Sequence, residues 1–188
     1  SDEGFVIGGT DDDITLTQAN DFIGNVSVTA TDSGSNVGVT DANNLVLGLI
    51  SAGGTVTLSA TSGSITDGNA GTNNVAATTL IASAQDLIGN ANDDIMLDPG
   101  GSGFDALETA VTNLTVTTTA ATGDIAVNNT LGSTLTVTAA TLSSGQSANL
   151  WIQNDNGLTV SAWTLDQADN VALLATSGNI TIPNANFS

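Results

Sequence analysis

Apolar and polar positions alternate with a period of two through most of the chain. Val26, Val28 and Ala30 alternate with Ser27 and Thr29, and Val56, Leu58 and Ala60 alternate with Thr57 and Ser59. Leu114 and Val116, then Leu135 and Val137, keep the same rhythm. Successive side chains of a strand point to opposite faces, so β-branched residues alternating with small polar ones mark half-buried strands. No stretch sustains a helical period, and the predicted elements are all β.

The strands come in pairs on a shared plan. NVSVTATDSGSNVGV (25–39), TVTLSATSGSIT (55–66), NLTVTTTAATGDIAV (113–127) and NVALLATSGNIT (170–181) each read as a strand of about five residues, a turn and a second short strand. The turns hold Gly34, Gly63, Gly123 or Gly178, where a Cβ would resist the bend. The second strands carry Val37, Ile65, Ile125 or Ile180. Recurring strand-turn-strand units at uneven spacing point to a solenoid.

Asn-rich corners flank these strands at Asn43-Asn44, Asn73-Asn74, Asn128-Asn129 and Asn154-Asp155-Asn156. Two readings stand: amide ladders running along a β-helix axis, or ordinary turns. With about 20 residues per coil and about 4.8 Å between coils, the shape would be a rod.

LTQANDFIGNVSVTA (16–30), VGVTDANNLVLG (37–48), GGTVTLSATSGSITDGN (53–69) and ALETAVTNLTVTTTAATGDIAVNNT (106–130) resemble, in that order, the degenerate repeats of filamentous-haemagglutinin-like and autotransporter giant exoproteins. The resemblance covers about residues 14–182. It implies a right-handed parallel β-helix, exported to the bacterial surface, that acts as a shaft or adhesive fibre. Such exoproteins carry some basic residues and a secretion domain near their start; this chain shows neither. The expectation is therefore a processed piece, a window of something longer, or a subunit that polymerises by itself.

Composition narrows the function. The chain of 188 residues has no Lys, Arg or His and a net charge of -19, with 10% of its residues charged and all of those acidic. Nucleic acid is excluded as a partner, because phosphate binding rests on Lys and Arg releasing counterions. An anionic membrane surface is disfavoured for the same reason, and no apolar run approaches the length of a membrane span. At 40% hydrophobic residues the chain is too apolar for an acidic disordered tail, so it folds. The lack of Cys removes disulfides and thiolate metal sites. Trypsin-like proteases find no cleavage site, which suits an exposed extracellular life.

Without His, Lys, Arg, Cys or Tyr there is no imidazole base, thiolate, Schiff-base lysine or guanidinium clamp, and the expectation is a protein that is not an enzyme. What remains is hard oxygen, the ligand of Ca²⁺. The candidate ligands are Asp11, Asp12 and Asp13 in GGTDDDITL and Asp93, Asp94 and Asp98 in NANDDIMLDPGG, with Asp2 and Glu3 as weaker ones. GGTDDDITL keeps the Gly pair and sixth-place Asp of the calcium nonapeptide but lacks its fourth-place Gly and occurs once. The same acids serve equally as solvated charges that keep a rod soluble.

The expected organisation is one β-solenoid domain over 1–188, with residues 1–13 and 183–188 as joints and 14–182 as the repeats. Neither end carries an amphipathic helix or charged cap, so neighbouring copies or further repeats are expected to cover the open coils. The leading function is a structural extracellular protein that stacks end to end into a filament or adhesin stalk, with Ca²⁺ as a stabilising ion. One alternative is a carbohydrate- or receptor-binding module with Trp151 and Trp163 at the contact surface. Another is a pilin-like β-sandwich whose segment Gly4 to Leu16 is donated to the next subunit.

Overall fold

The computed structural model describes residues 5–9, 13–30, 32–90, 105–143, 147–166 and 169–183. Its strands, in chain order, are β1 Phe5–Gly9, β2 Ile14–Asn20, β3 Val26–Ala30, β4 Val37–Asp41, β5 Leu45–Ala52, β6 Thr55–Ala60, β7 Ile65–Asp67, β8 Val75–Ala76 and β9 Thr79–Ala84. They continue as β10 Leu107–Ala110, β11 Asn113–Thr118, β12 Ile125–Asn129, β13 Leu135–Thr141, β14 Asn149–Asn154, β15 Leu158–Val160, β16 Trp163–Thr164, β17 Asn170–Ala175 and β18 Ile180–Thr181. All four sequence repeats are strand-turn-strand as expected.

The strands form two nine-stranded sheets that the chain visits in alternation. Sheet I follows the path β1-β3-β5-β8-β10-β12-β14-β17, with β7 also on β5; sheet II follows β18-β15-β13-β11-β9-β6-β4-β2, with β16 also on β13. Every pairing between these strands is parallel, for example Val37 beside Val56 and Val56 beside Leu80. The chain is thus a parallel β-solenoid. A pilin-like sandwich is not its fold, because β1 pairs with β3 and β2 with β4 of the same chain, so the first segment is not a donated strand.

Alternation becomes burial because the inward residues of both sheets face one another. Val26, Val28, Val56, Leu58, Leu114, Val116, Leu135 and Val137 are all buried. Stacked coils superpose like on like: Leu45, Ile65, Ile88, Ile125, Leu150 and Val171 make one aliphatic file in sheet I. Val37, Val56, Leu80, Leu114, Val137 and Val160 make another in sheet II. Each fully buried Leu or Ile contributes about 1.5–3 kcal/mol from area removed from water.

The coil step varies, with contacts between coils 20, 21, 25 or 34 residues apart. Two turn glycines are needed for different reasons. Gly178 has φ +81, in the left-handed region. Gly63 does not; a Cβ there would strike the backbone of Asn43 and the amide of Asn44 in the previous coil.

Of the two readings of the Asn-rich corners, the ladder holds at Asn129 and Asn154. Asn129 is fully buried, and its Nδ2 donates to Asn154 Oδ1 at 2.8 Å and to the Val111 carbonyl at 3.1 Å. Its Oδ1 accepts from Thr109 Oγ1 at 2.9 Å and from the Val111 N–H at 2.8 Å. Asn154 then donates to the carbonyls of Ser133 and Gly157. A second amide rung, Asn170 Nδ2 to Asn149 Oδ1 at 3.0 Å, lies outside the Asn-Asn corners. Asn129→Ala leaves the partners on Thr109, Val111 and Asn154 unpaired in the core, so it should lower unfolding free energy by roughly 2–5 kcal/mol, read by urea denaturation.

Candidate functional site

Carboxylates with no cationic partner must find other donors, and here they find backbone amides. Asp13 Oδ1 accepts from Asn36 N at 2.8 Å and Asn36 Nδ2 at 3.1 Å, and Asn36 Oδ1 accepts in turn from Thr55 N. Asp41, fully buried, accepts from Phe22 N through Oδ2 and from Asn43 N through Oδ1. Asp124 Oδ1 accepts from Asn149 N at 2.7 Å, and Asp169 accepts from Ala148 N and Asp166 N. These acids are coil-to-coil and turn fasteners, each bond being a charge-assisted one to a donor the bend leaves unpaired.

Of the predicted calcium ligands, Asp13 is therefore a fastener of the next coil's turn. Asp11, Asp12, Asp93, Asp94 and Asp98 lie outside the described residues, as do Asp2 and Glu3. Among the described residues no group of three or more acids stands in an arrangement that could hold a metal ion.

One acidic cluster breaks the pattern. The long strand β5 supports two separate pieces of the next coil: Leu45, Val46 and Leu47 pair with Ile65, Thr66 and Asp67, whereas Ile50 and Ser51 pair with Val75 and Ala76. Between them the chain makes an excursion over 68–74 that contains Ala70 at φ +48 and Gly71 at φ +75. Asp67 and Asn74 stand at its two feet. Asp67 Oδ1 accepts from Asn69 N and Asn74 Nδ2, both at 2.7 Å. Asn74 Oδ1 accepts from Glu108 N at 3.0 Å, which brings β10 of the following coil to the same place.

Asp67, Asp105 and Glu108 thus share one neighbourhood. Burial, reinforced by the charges of Asp67 and then Asp105, pushes the Glu108 carboxyl up to about 7, although its own backbone N–H pulls the other way. Burial and Asp67 also raise Asp105. Glu108 Oε2 is buried with no hydrogen-bond partner among the described residues. None of these acids was singled out by sequence reasoning. The available signal was the breadth of the Asp67–Asn74 turn, DGNAGTNN, against the tight turns elsewhere.

The tryptophans are not a surface platform. Trp151 points away from the main core, yet it is only 4% exposed and packs in a satellite cluster with Ala106 and Ala126. Trp163 is half-buried against the main core.

Glu108 binds its proton more tightly folded than unfolded, so the stability it supports is complete below about pH 4.5 and is lost as pH rises through about 7. The melting temperature should therefore fall between pH 5 and pH 8, and Glu108→Gln should flatten that fall and stabilise the protein at pH 8, as read by circular dichroism melts. A slope unchanged in the variant would assign the dependence to general charge repulsion. In comparisons with family models, curated proteins and solved structures, nothing matches this chain.

Proposed function

We propose that the chain is a structural, non-enzymatic solenoid of the bacterial exterior, which builds a filament or adhesin stalk as coils of one unit stack on those of the next. The observation that carries this reading is the state of the two sheet edges. β17 and β18 end the sheet paths, and among the described residues nothing pairs with their outer edges. The core-type residues there are left half-covered: Val171, Leu173 and Ala175 are partly exposed, and Ile180 is 43% exposed. At the other end Ile14 and Leu16 are likewise only partly buried.

An edge with unpaired N–H and C=O groups, backed by apolar side chains in the register that internal coils use, is a template for another parallel coil. A second copy, or further repeats, would continue the aliphatic files. The missing Lys and Arg support an exterior location, since they deny cleavage sites to trypsin-like proteases. The net charge of -19 opposes close approach of units, and Ca²⁺ would offset that repulsion through acids such as Asp11, Asp12, Asp93, Asp94 and Asp98.

Purified protein should form rods that lengthen with concentration in cryo-micrographs, and Leu173→Asp, which places a charge on the open edge, should leave dispersed monomers. Monodisperse wild-type monomers at high concentration in Ca²⁺ would sink the reading. Chelation should lower the melting temperature or shorten the rods; no change in either would remove Ca²⁺ from the proposal while leaving stacking intact.

A further inference from the structure

The outer face of sheet II carries hydroxyl groups in register. Thr40, Ser59, Ser83, Thr117, Thr141 and Thr164 follow one another from coil to coil in one file. Thr55, Thr79, Asn113, Thr136, Thr159 and Thr181 make a parallel file. The file between them is mixed, running Gly38, Thr57, Ile81, Thr115 and Ala139. Only one acid lies in any sheet II strand, Asp41, and it is buried on the inner side.

Charge repulsion between stacked coils accounts for the lack of carboxylates but not for the hydroxyls. The outside of sheet I carries Ser27, Thr29, Ser51 and Thr66 in its first coils but turns to Glu108, Ala126, Trp151, Gln153 and Leu174 in the later ones. Only on sheet II does the hydroxyl bias run from the first coils to the last. Over β4, β6, β9 and β11 it is held on a regular lattice, about 4.8 Å between neighbours in a file and about 6.7 Å between adjacent files, set by strand spacing and rise; a register shift after Leu114 widens the file spacing at β13. The tightly packed aliphatic files behind the sheet keep that spacing fixed.

We propose that this face binds an uncharged, periodic hydroxyl lattice, and that the lattice is the surface of ice. The Thr methyls exclude water while the hydroxyls donate and accept, so the first water layer is held in rows whose two repeats lie close to those of hexagonal ice. Neutrality is the complement that such a surface calls for: on a chain of net charge -19, this face offers no carboxylate with its own tightly held hydration shell. A crystalline polysaccharide would instead call for outward aromatic rings, and this face has none, since Trp163 packs against the core.

The test is to grow an ice hemisphere slowly in a dilute solution of the purified chain and to measure its partition into the ice, together with inhibition of ice recrystallisation. The wild type should enter the ice and keep crystals small. Thr57→Lys with Thr117→Lys, shown to be folded by circular dichroism, should fall to the level of an inert control protein. Gln153→Lys on sheet I should behave as the wild type. Should the double variant not fold, Thr57→Lys alone, at a more exposed position, takes its place. Exclusion of the wild type from ice would overturn the proposal and leave the face an ordinary solvated one. Equal loss from Gln153→Lys, or binding to crystalline cellulose or chitin without binding to ice, would overturn it as well.

Discussion

Parallel stacking in register places each residue directly above its counterpart one coil away, about 4.8 Å off, and the composition of every file follows from what tolerates its like at that distance. Aliphatic side chains do, so Leu45, Ile65, Ile88, Ile125 and Leu150 can stand in one column. Amides do too, because each brings both donor and acceptor, and Asn129 on Asn154 uses both. Hydroxyls share that property. A carboxylate does not: ionised, it only accepts, and a file of them would repel along its whole length.

The acids are consequently sent to the corners, where the bends leave backbone N–H groups without ladder partners. Asp13 on Asn36, Asp41 on Phe22 and Asn43, and Asp124 on Asn149 solve two problems with one bond, since each supplies an acceptor to the turn and a donor to the charge. A protein lacking any cationic side chain holds its anions by this means rather than by ion pairs. The cluster of Asp67, Asp105 and Glu108 is the exception, made by an excursion that draws acids of two coils to the foot of one loop. Its protonation near neutrality is the direct result of burial without a counter-charge.

The same stacking rule divides the surface by role. Among the described residues β17 and β18 end the sheet paths, with core-type residues such as Val171 and Leu173 half-covered. Sheet I carries the 68–74 excursion, the Trp151 cluster and Glu108. Sheet II is left with files dominated by hydroxyls and no charge on its outer side, a face that the strand spacing keeps periodic.

Much of this was legible in the chain. Period-two alternation determined the strands, and the recurrence of Ala60-Thr61-Ser62-Gly63 as Ala175-Thr176-Ser177-Gly178 pointed to coils, because a solenoid can only repeat what its neighbour can stack upon. The absence of Lys, Arg, His and Cys removed whole classes of chemistry before any fold was known. The tertiary structure alone decided which residue stands over which. Alternation puts Asn129 on the face of Val127 and Asn128 on the opposite one, but nothing local shows that Asn129 meets Asn154 one coil on. Nor does sequence separate Asp13, spent on a turn, from Glu108, held beside Asp105 of its own segment and Asp67 of another coil. Those fates depend on coil steps that vary from 19 residues, Val37 to Val56, to 37, Ile88 to Ile125, and register between distant segments is fixed by the packing of the whole core rather than by any single stretch of chain.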